Sequence, residues 1–179
     1  MTIITVGGLP GSGKSTFAKL LAKDMGLRYL SAGHVFREMA RECGMELGEF
    51  SKHAEGDHEI DRRIEEMQVE KSRGGDIVVD SRLSAWVVEN PDLRIYLSVG
   101  RPERARRVSQ RDGIPMEQAI NLVSERELSE RKRYKEIYGI DVTDIGVYDI
   151  IINSGTFLPD EILKIARTAL DLVVKKKER

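Results

Sequence analysis

Near the start of the chain, Gly8-Leu9-Pro10-Gly11-Ser12-Gly13-Lys14-Ser15 satisfies every position of the pattern G-x-x-x-x-G-K-[ST]. Glycines let the backbone close around a phosphate with N–H groups inward, where a Cβ would block the approach. The helix that follows adds its positive N-terminal end to the same anion. Lys14 supplies a mobile positive charge to the outer phosphates, the Ser15 hydroxyl suits magnesium, and Thr16 is placed to reach the inner phosphate. The structural alternative is a glycine-rich turn that happens to precede a lysine. A complete match between an apolar β-branched run and a helical pattern argues instead for a bound nucleoside triphosphate.

Other residues suit a second, acceptor phosphate. Ser31 to Glu38 leaves a strand, turns at Gly33 and opens a helix carrying Arg37, whose guanidinium can grip a monophosphate bidentately. A surface ion pair with Glu38 is the plainer alternative. Arg82 follows Asp80 just past Ile77-Val78-Val79, at the carboxyl end of a buried strand where ligands of open α/β sheets gather. A buried pair between Arg82 and Asp80 competes with that role. Asp80 can hold magnesium through water or serve as a structural hydrogen-bond acceptor. Asp61, Arg62 and Arg63 offer both an acceptor and donors for the edge of an acceptor's base, although a solvated helix face accounts for them as well.

A third group suits the transition state of phosphoryl transfer, where the protein's work is alignment and positive charge. Arg107 and Arg111 lie four apart and share a helix face; Arg126 and Arg133 share another, with Arg131 nearby. Glu127, four before Arg131, and Glu130 leave a merely solvated helix as the alternative. His34, His53 and His58 lack metal-ligand spacing, and Cys43 has no activating partner in view.

The elements that must position these groups alternate. Strands are expected at Thr2 to Val6, Arg28 to Leu30, Asp76 to Val79, Leu93 to Val99 and Asp149 to Ile152, with helical stretches between them. The first helix runs from Ser15 to Met25 on Phe17, Leu20, Leu21 and Met25, and stops at Gly26. This is an α/β chain with a parallel sheet. Residues 34–73 form an almost wholly polar helical insertion, broken near Gly44, Gly48 and Gly56. Residues 101–139 form another, broken at Asp112-Gly113 and restarting at Pro115, a good first helical residue. Residues 1–33, 74–100 and 140–179 make the core of a single domain. Trp86 and Tyr96 are expected in or near it, and Lys175-Lys176-Lys177 with Arg179 reads as a solvated helix end.

Composition narrows the classes. The 179 residues are 40% hydrophobic, enough for a real core, and 29 basic against 30 acidic residues exclude a strongly basic nucleic-acid binder. One cysteine excludes an internal disulfide framework. The longest apolar runs fall far short of a membrane span, and phosphate chemistry begins too early for a signal peptide, so a cytoplasmic protein is expected. No N-K-x-D motif marks a guanine-nucleotide switch, and the chain is short for a motor. A kinase for a small phosphate-bearing acceptor fits best, one insertion clamping the acceptor and the other closing over the triphosphate.

Further blocks sharpen that reading: Tyr29-Leu30-Ser31-Ala32-Gly33-His34-Val35-Phe36-Arg37-Glu38, Val78-Val79-Asp80-Ser81-Arg82-Leu83-Ser84-Ala85-Trp86, Arg126-Glu127 through Arg133-Tyr134 to Tyr138-Gly139-Ile140-Asp141, and Tyr148-Asp149-Ile150-Ile151-Ile152-Asn153. With Gly8 to Thr16 they run in the order found in cytidylate kinases of the compact archaeal type, within the nucleoside monophosphate kinase superfamily, and the chain resembles that family over nearly its whole length. The resemblance implies a three-layer P-loop fold with a monophosphate-binding insertion and a lid. It implies a monomer that moves the γ-phosphoryl group of ATP, with Mg2+, to CMP and dCMP. It also implies Lys14, Arg107, Arg111, Arg131 and Arg133 as catalytic groups, and Ser31, Gly33, Arg37, Asp61, Asp80 and Arg82 at the acceptor. Adenylate kinases carry G-F-P-R where this chain reads Asp80-Ser81-Arg82-Leu83, and shikimate kinases differ in the second block. Bacterial cytidylate kinases have an acidic residue where Leu83 stands, so their base-reading arrangement does not transfer unchanged. A kinase for UMP or AMP, or a non-catalytic nucleotide switch, are the other readings. On the lid reading, Arg131→Ala or Arg133→Ala cuts turnover far more than ATP affinity in steady-state assays; unchanged turnover in both removes them from the mechanism.

Overall fold

Strands β1 (Ile3–Gly8), β2 (Arg28–Ser31), β3 (Ile77–Asp80), β4 (Leu93–Ser98) and β5 (Ile150–Asn153) form one parallel sheet in the order β2-β3-β1-β4-β5. The computed structural model describes residues 1–177, with side chains through residue 173. The Lys175–Lys177 run and Arg179 therefore lie outside the described side chains. β1 and β3 are apolar on both faces because helices cover both sides, as parallel sheets require. Helices α1 (Lys14–Met25) and α8 (Pro159–Lys177) bury Phe17, Leu21, Ile162 and Ala166 against Ile4, Val6, Ile95 and Leu97. On the other face, Met67 of α4 (His58–Ser72) and Val87 of the short α5 (Ser84–Val87) pack over Leu30, Ile77 and Val79.

Register sets the site. Ser31 of β2 and Val6 of β1 both align with Asp80 of β3, so β2 and β3 end together while β1 runs two residues farther, to Gly8. The chain leaves each strand there: β1 into the glycine loop, β2 into α2 (Ala32–Glu42), β3 into Ser81-Arg82, and β4 toward α6 (Arg101–Asp112). The glycine loop, Ser31, Asp80 and Arg82 thus sit at or just beyond the carboxyl edge, where a parallel sheet gathers ligands.

The segment between β2 and β3 is less polar than its sequence suggests. Gly48 lies within α3 (Leu47–Gly56) rather than at a break, and α2, α3 and α4 close on a core of their own around Phe36, Phe50, Ala54, Ile60 and Ile64. Phe36 and Phe50 meet edge-on, with ring centroids 4.9 Å apart. Between β4 and β5, α6 and α7 (Met116–Tyr138) share a smaller core of Ala105, Val108, Ala119 and Val123. Pro115 caps α7 rather than opening it, and the helix runs on through its charged half because Ser129, Glu130, Arg133 and Tyr134 face inward there. Trp86 meets Tyr148 edge-on and Tyr96 meets it tilted, with ring centroids 5.7 and 4.9 Å apart. Truncating Phe50 to Ala is expected to lower the unfolding free energy by about 3–5 kcal/mol in urea titrations. Leu172→Ala, on the exposed side of α8, should shift it by less than about 0.5 kcal/mol.

Candidate active site

The glycine loop is held from behind by arginines of α6. Arg104, 3% exposed, donates to the Pro10 carbonyl at 3.3 Å and pairs with Glu127 at 3.1 Å. Arg107 donates to the Ser12 carbonyl at 3.3 Å and to the Ser154 carbonyl at 2.6 Å, while the Ser154 hydroxyl donates to the same Ser12 carbonyl at 2.7 Å. These contacts occupy loop carbonyls that would otherwise repel a phosphate. Gly11 and Gly13 hold φ of +81° and +85°, and a Cβ on Gly11 would sit 2.5 Å from the Arg104 carbonyl oxygen. Gly13 caps α1 without a side chain, so the first helical N–H groups have no protein cap over them. A helix start prepared in this way is an anion site.

Facing the loop, side chains from four elements converge. Arg82, 8% exposed, lies 2.6 Å from the carboxylate of Glu130 on α7, and Arg126, one turn earlier, lies 3.4 Å from it. The charges that act most on Lys14 are Asp80, Arg82, Glu130 and Arg126; those that act on Arg126 include Arg37 and Arg111. Lys14, Arg37, Arg82, Arg111 and Arg126 thus gather near the carboxylates of Asp80, Asp112 and Glu130, cations outnumbering carboxylates. Burial pushes the Lys14 ammonium down to about 8, and burial with Arg111 nearby lowers Arg37. Burial also works against a charge on Glu130, but Arg82, Arg126, Arg133 and Lys14 outweigh it and hold the carboxyl below its ordinary range. The cavity here measures about 50 Å³, room for a few waters and far short of a typical ligand pocket.

Asp80 ties the glycine loop to β2. Its Oδ2 accepts from the hydroxyls of Ser15 at 2.6 Å, Tyr29 at 3.0 Å and Ser31 at 3.0 Å. Its buried Oδ1 has no hydrogen-bond partner. A buried carboxylate oxygen left over beside a P-loop hydroxyl suits Mg2+, which binds one or two carboxylates together with substrate phosphates. Among the described residues no cluster of three His, Cys, Asp or Glu could hold a metal by itself.

At the far end of the cavity, Asp61 of α4 pairs with Arg133 of α7 at 2.6 Å, the two side chains 3% and 2% exposed. Burial raises the Asp61 pKa, and Arg133 acts against it. The Arg133 guanidinium also takes Ser129 and lies over the Phe36 and Tyr134 rings, joining α7 to the α2–α4 unit. Glu65, one turn beyond Asp61, is buried with Gln68 donating to it, and burial lifts its pKa to about 8.

Of the residues singled out from sequence, the structure brings Lys14, Ser15, Ser31, Asp80, Arg82, Asp61 and Arg133 to this cavity or its rim. Gly33 lines it, and Arg37 is near enough to feel Asp80 and Arg111. Arg107 braces the loop from outside, Arg111 pairs with Asp112 at 2.6 Å, and Arg131 and Thr16 are exposed. Arg62 and Arg63 face solvent, Arg62 paired with Glu59, so the donor beside Asp61 is Arg133 instead. Arg126, expected from its spacing with Arg133 to face the triphosphate, lies at this cavity, whereas Glu130, expected only to neutralise its neighbours, is buried there as well. Leu83 is fully buried against Tyr134 and Val142, which explains why no acidic residue stands there.

Because the folded Lys14 pKa of about 8 lies below its ordinary 10.5, a polyanion should restore the proton. Calorimetry of ATP binding near pH 8.5 in buffers of different ionisation enthalpy should show proton uptake, with affinity falling about tenfold per pH unit above 8. Unfolding likewise takes up this proton, so the Lys14 contribution to stability is fully present above 10.5 and lost as pH falls through 8. Binding without proton exchange would contradict the assignment.

Comparisons with known proteins agree on the frame. The solved shikimate kinase from Aquifex aeolicus superposes with a TM-score of 0.60 at 16% identity, covering 95% of this chain and 96% of that one. An uncharacterized protein from Eubacterium ventriosum reaches 0.73 at 19% identity, over 96% and 99%. These show the fold. A cytidylate kinase from Pyrococcus horikoshii is 44% identical over 169 residues, 94% of this chain and 88% of the relative. One from Methanocaldococcus jannaschii is 44% identical over 177 residues, 97% and 99%. The model of the cytidylate kinase-like family matches residues 3–156. With its arginine-braced phosphate loop and its relatives matched nearly end to end, the chain belongs to the cytidylate kinase-like family.

Proposed function

We propose that the chain transfers the γ-phosphoryl group of ATP to CMP, and to dCMP, by in-line displacement, giving the nucleoside diphosphate and ADP. The observation that carries the proposal is the buried group of cations opposite the glycine loop, on the side of an acceptor cavity that ends at Asp61–Arg133. The loop and Lys14 would bind the β- and γ-phosphates. Ser15 and Asp80 would hold Mg2+, which when bound neutralises the phosphate oxygens and screens charge on the transferring group. Arg37 and Arg82 would grip the acceptor phosphate and present its oxygen. Arg126 and Arg111 would offset charge spreading over the γ-phosphoryl group, and Arg107 would keep the loop's shape. Arg133 would serve the base rather than the triphosphate, and exposed Arg131 could reach the donor only after the lid moves.

Base choice follows from hydrogen-bond arithmetic. Cytosine presents an exocyclic amine that donates, then a ring nitrogen and a carbonyl that accept; uracil presents a carbonyl and an N–H in the first two places. An ionised Asp61 accepts from the amine and repels the uracil carbonyl, while Arg133 donates to the remaining edge. AMP and UMP fit this edge less well.

The test is ADP formation from Mg-ATP with each nucleoside monophosphate separately. Fast turnover with CMP and dCMP is expected, with UMP and AMP slower. Slow hydrolysis indifferent to the acceptor would instead mean a nucleotide-binding switch. Asp61→Asn, whose amide can donate to the uracil carbonyl, should narrow the CMP-to-UMP ratio of kcat/KM by about 10²-fold.

A further inference from the structure

The Glu130 carboxylate fills the place where the cations converge, yet it fits that place poorly. It lies 2.6 Å from Arg82 Nη2, but its Oε2 makes no hydrogen bond there, so the contact satisfies charge and not direction. Arg82 Nη1 and Arg126 Nε remain buried without acceptors. A planar group with two oxygens leaves N–H donors over; a phosphate with three peripheral oxygens could serve them. Glu130 comes from the lid helix, whereas Arg82 comes from the sheet edge, so their contact draws α7 down onto the core. With that contact made, the cavity is too small for any nucleotide. The acceptor phosphate and the Glu130 carboxylate therefore compete for the same guanidinium groups.

We propose that Glu130 is an internal stand-in for the acceptor phosphate, occupying its anion site until a monophosphate displaces it. This rests on the kinase reading above and adds to it a means of choosing the acceptor over water. While Glu130 neutralises Arg82 and Arg126, those charges are not offered to the γ-phosphoryl group, and the space from which water would attack is filled. An arriving monophosphate dianion outcompetes the single carboxylate charge, frees Glu130 and assembles the charged site around both substrates. Water carries no charge with which to do so. The residue sets specificity between acceptors and forms no bond to either substrate.

Glu130→Gln keeps the size and removes the charge. Acceptor-independent hydrolysis of Mg-ATP should rise about tenfold, and the Kd for inorganic phosphate, by calorimetry, should fall about tenfold. The KM for CMP should fall with it, so the ratio of CMP-dependent turnover to hydrolysis shrinks. Melting curves with and without inorganic phosphate verify that the variant folds and should show a larger phosphate-induced rise than the wild type. If the glutamine variant fails to fold, Glu130→Asp, which shortens the reach of the carboxylate, should move each quantity the same way by about threefold. A merely structural Glu130 predicts weaker phosphate binding and lower hydrolysis; that result, or unchanged values, overturns the proposal. Wild-type protein that phosphorylates no monophosphate would sink the kinase reading instead, and the phosphate titration would still report on Glu130.

Discussion

Like charges do not stay together out of water without a reason. Lys14, Arg82 and Arg126 are largely buried together, with Arg37 half-buried and Arg111 exposed beside them, and Lys14, Arg37 and Arg126 have pKa values pushed down by burial and by neighbouring cations. Desolvating such groups costs several kcal/mol each unless an opposite charge lies between them. Within the protein that charge is supplied by Asp80, Asp112 and Glu130. A polyphosphate donor beside a monophosphate acceptor is the external anion that suits the same positions.

Everything else in the structure keeps that cluster in place. The parallel sheet sets Ser31, Asp80 and Val6 at one level, with the glycine loop opening just beyond them, although these residues are far apart in sequence. Arg104, Arg107 and Ser154 consume carbonyls of the glycine loop, and the Tyr29, Ser15 and Ser31 hydroxyls fix Asp80 through one of its oxygens. The two helical units outside the core meet in the Asp61–Arg133 pair. That pair ties α7 to α4 at the far end of the cavity.

The fold was legible because its signals are local. Alternating β-branched runs and helical spacing located all five strands to within a residue or two, and the glycine loop declared its own context. What stayed hidden depends on which face of a helix turns inward. Residues 126–134 offered lid arginines or a solvated helix equally well in pattern, because Glu127, Glu130, Arg131 and Lys132 interleave; only packing shows that Glu130 and Arg133 are buried while Arg131 and Lys132 are not. The same holds for Asp61 beside Arg62 and Arg63. Charge alone does not distinguish a solvated helix from one whose ions are held in a cleft, and here the two alternate within single turns. Leu83 was legible as a departure from the bacterial pattern, but its reason, burial beneath Tyr134, required the tertiary structure.

The cations opposite the glycine loop are expected to hold the phosphates of two nucleotides at once. A crystal structure with adenosine and cytidine joined through five phosphates tests it most directly. The account predicts a phosphate chain running from the glycine loop and Lys14 to Arg82 and Arg126, with cytosine on Asp61 and Arg133 and the 2.6 Å Arg82–Glu130 contact broken. A complex in which that contact persists, or in which the phosphates lie away from these arginines, would contradict it.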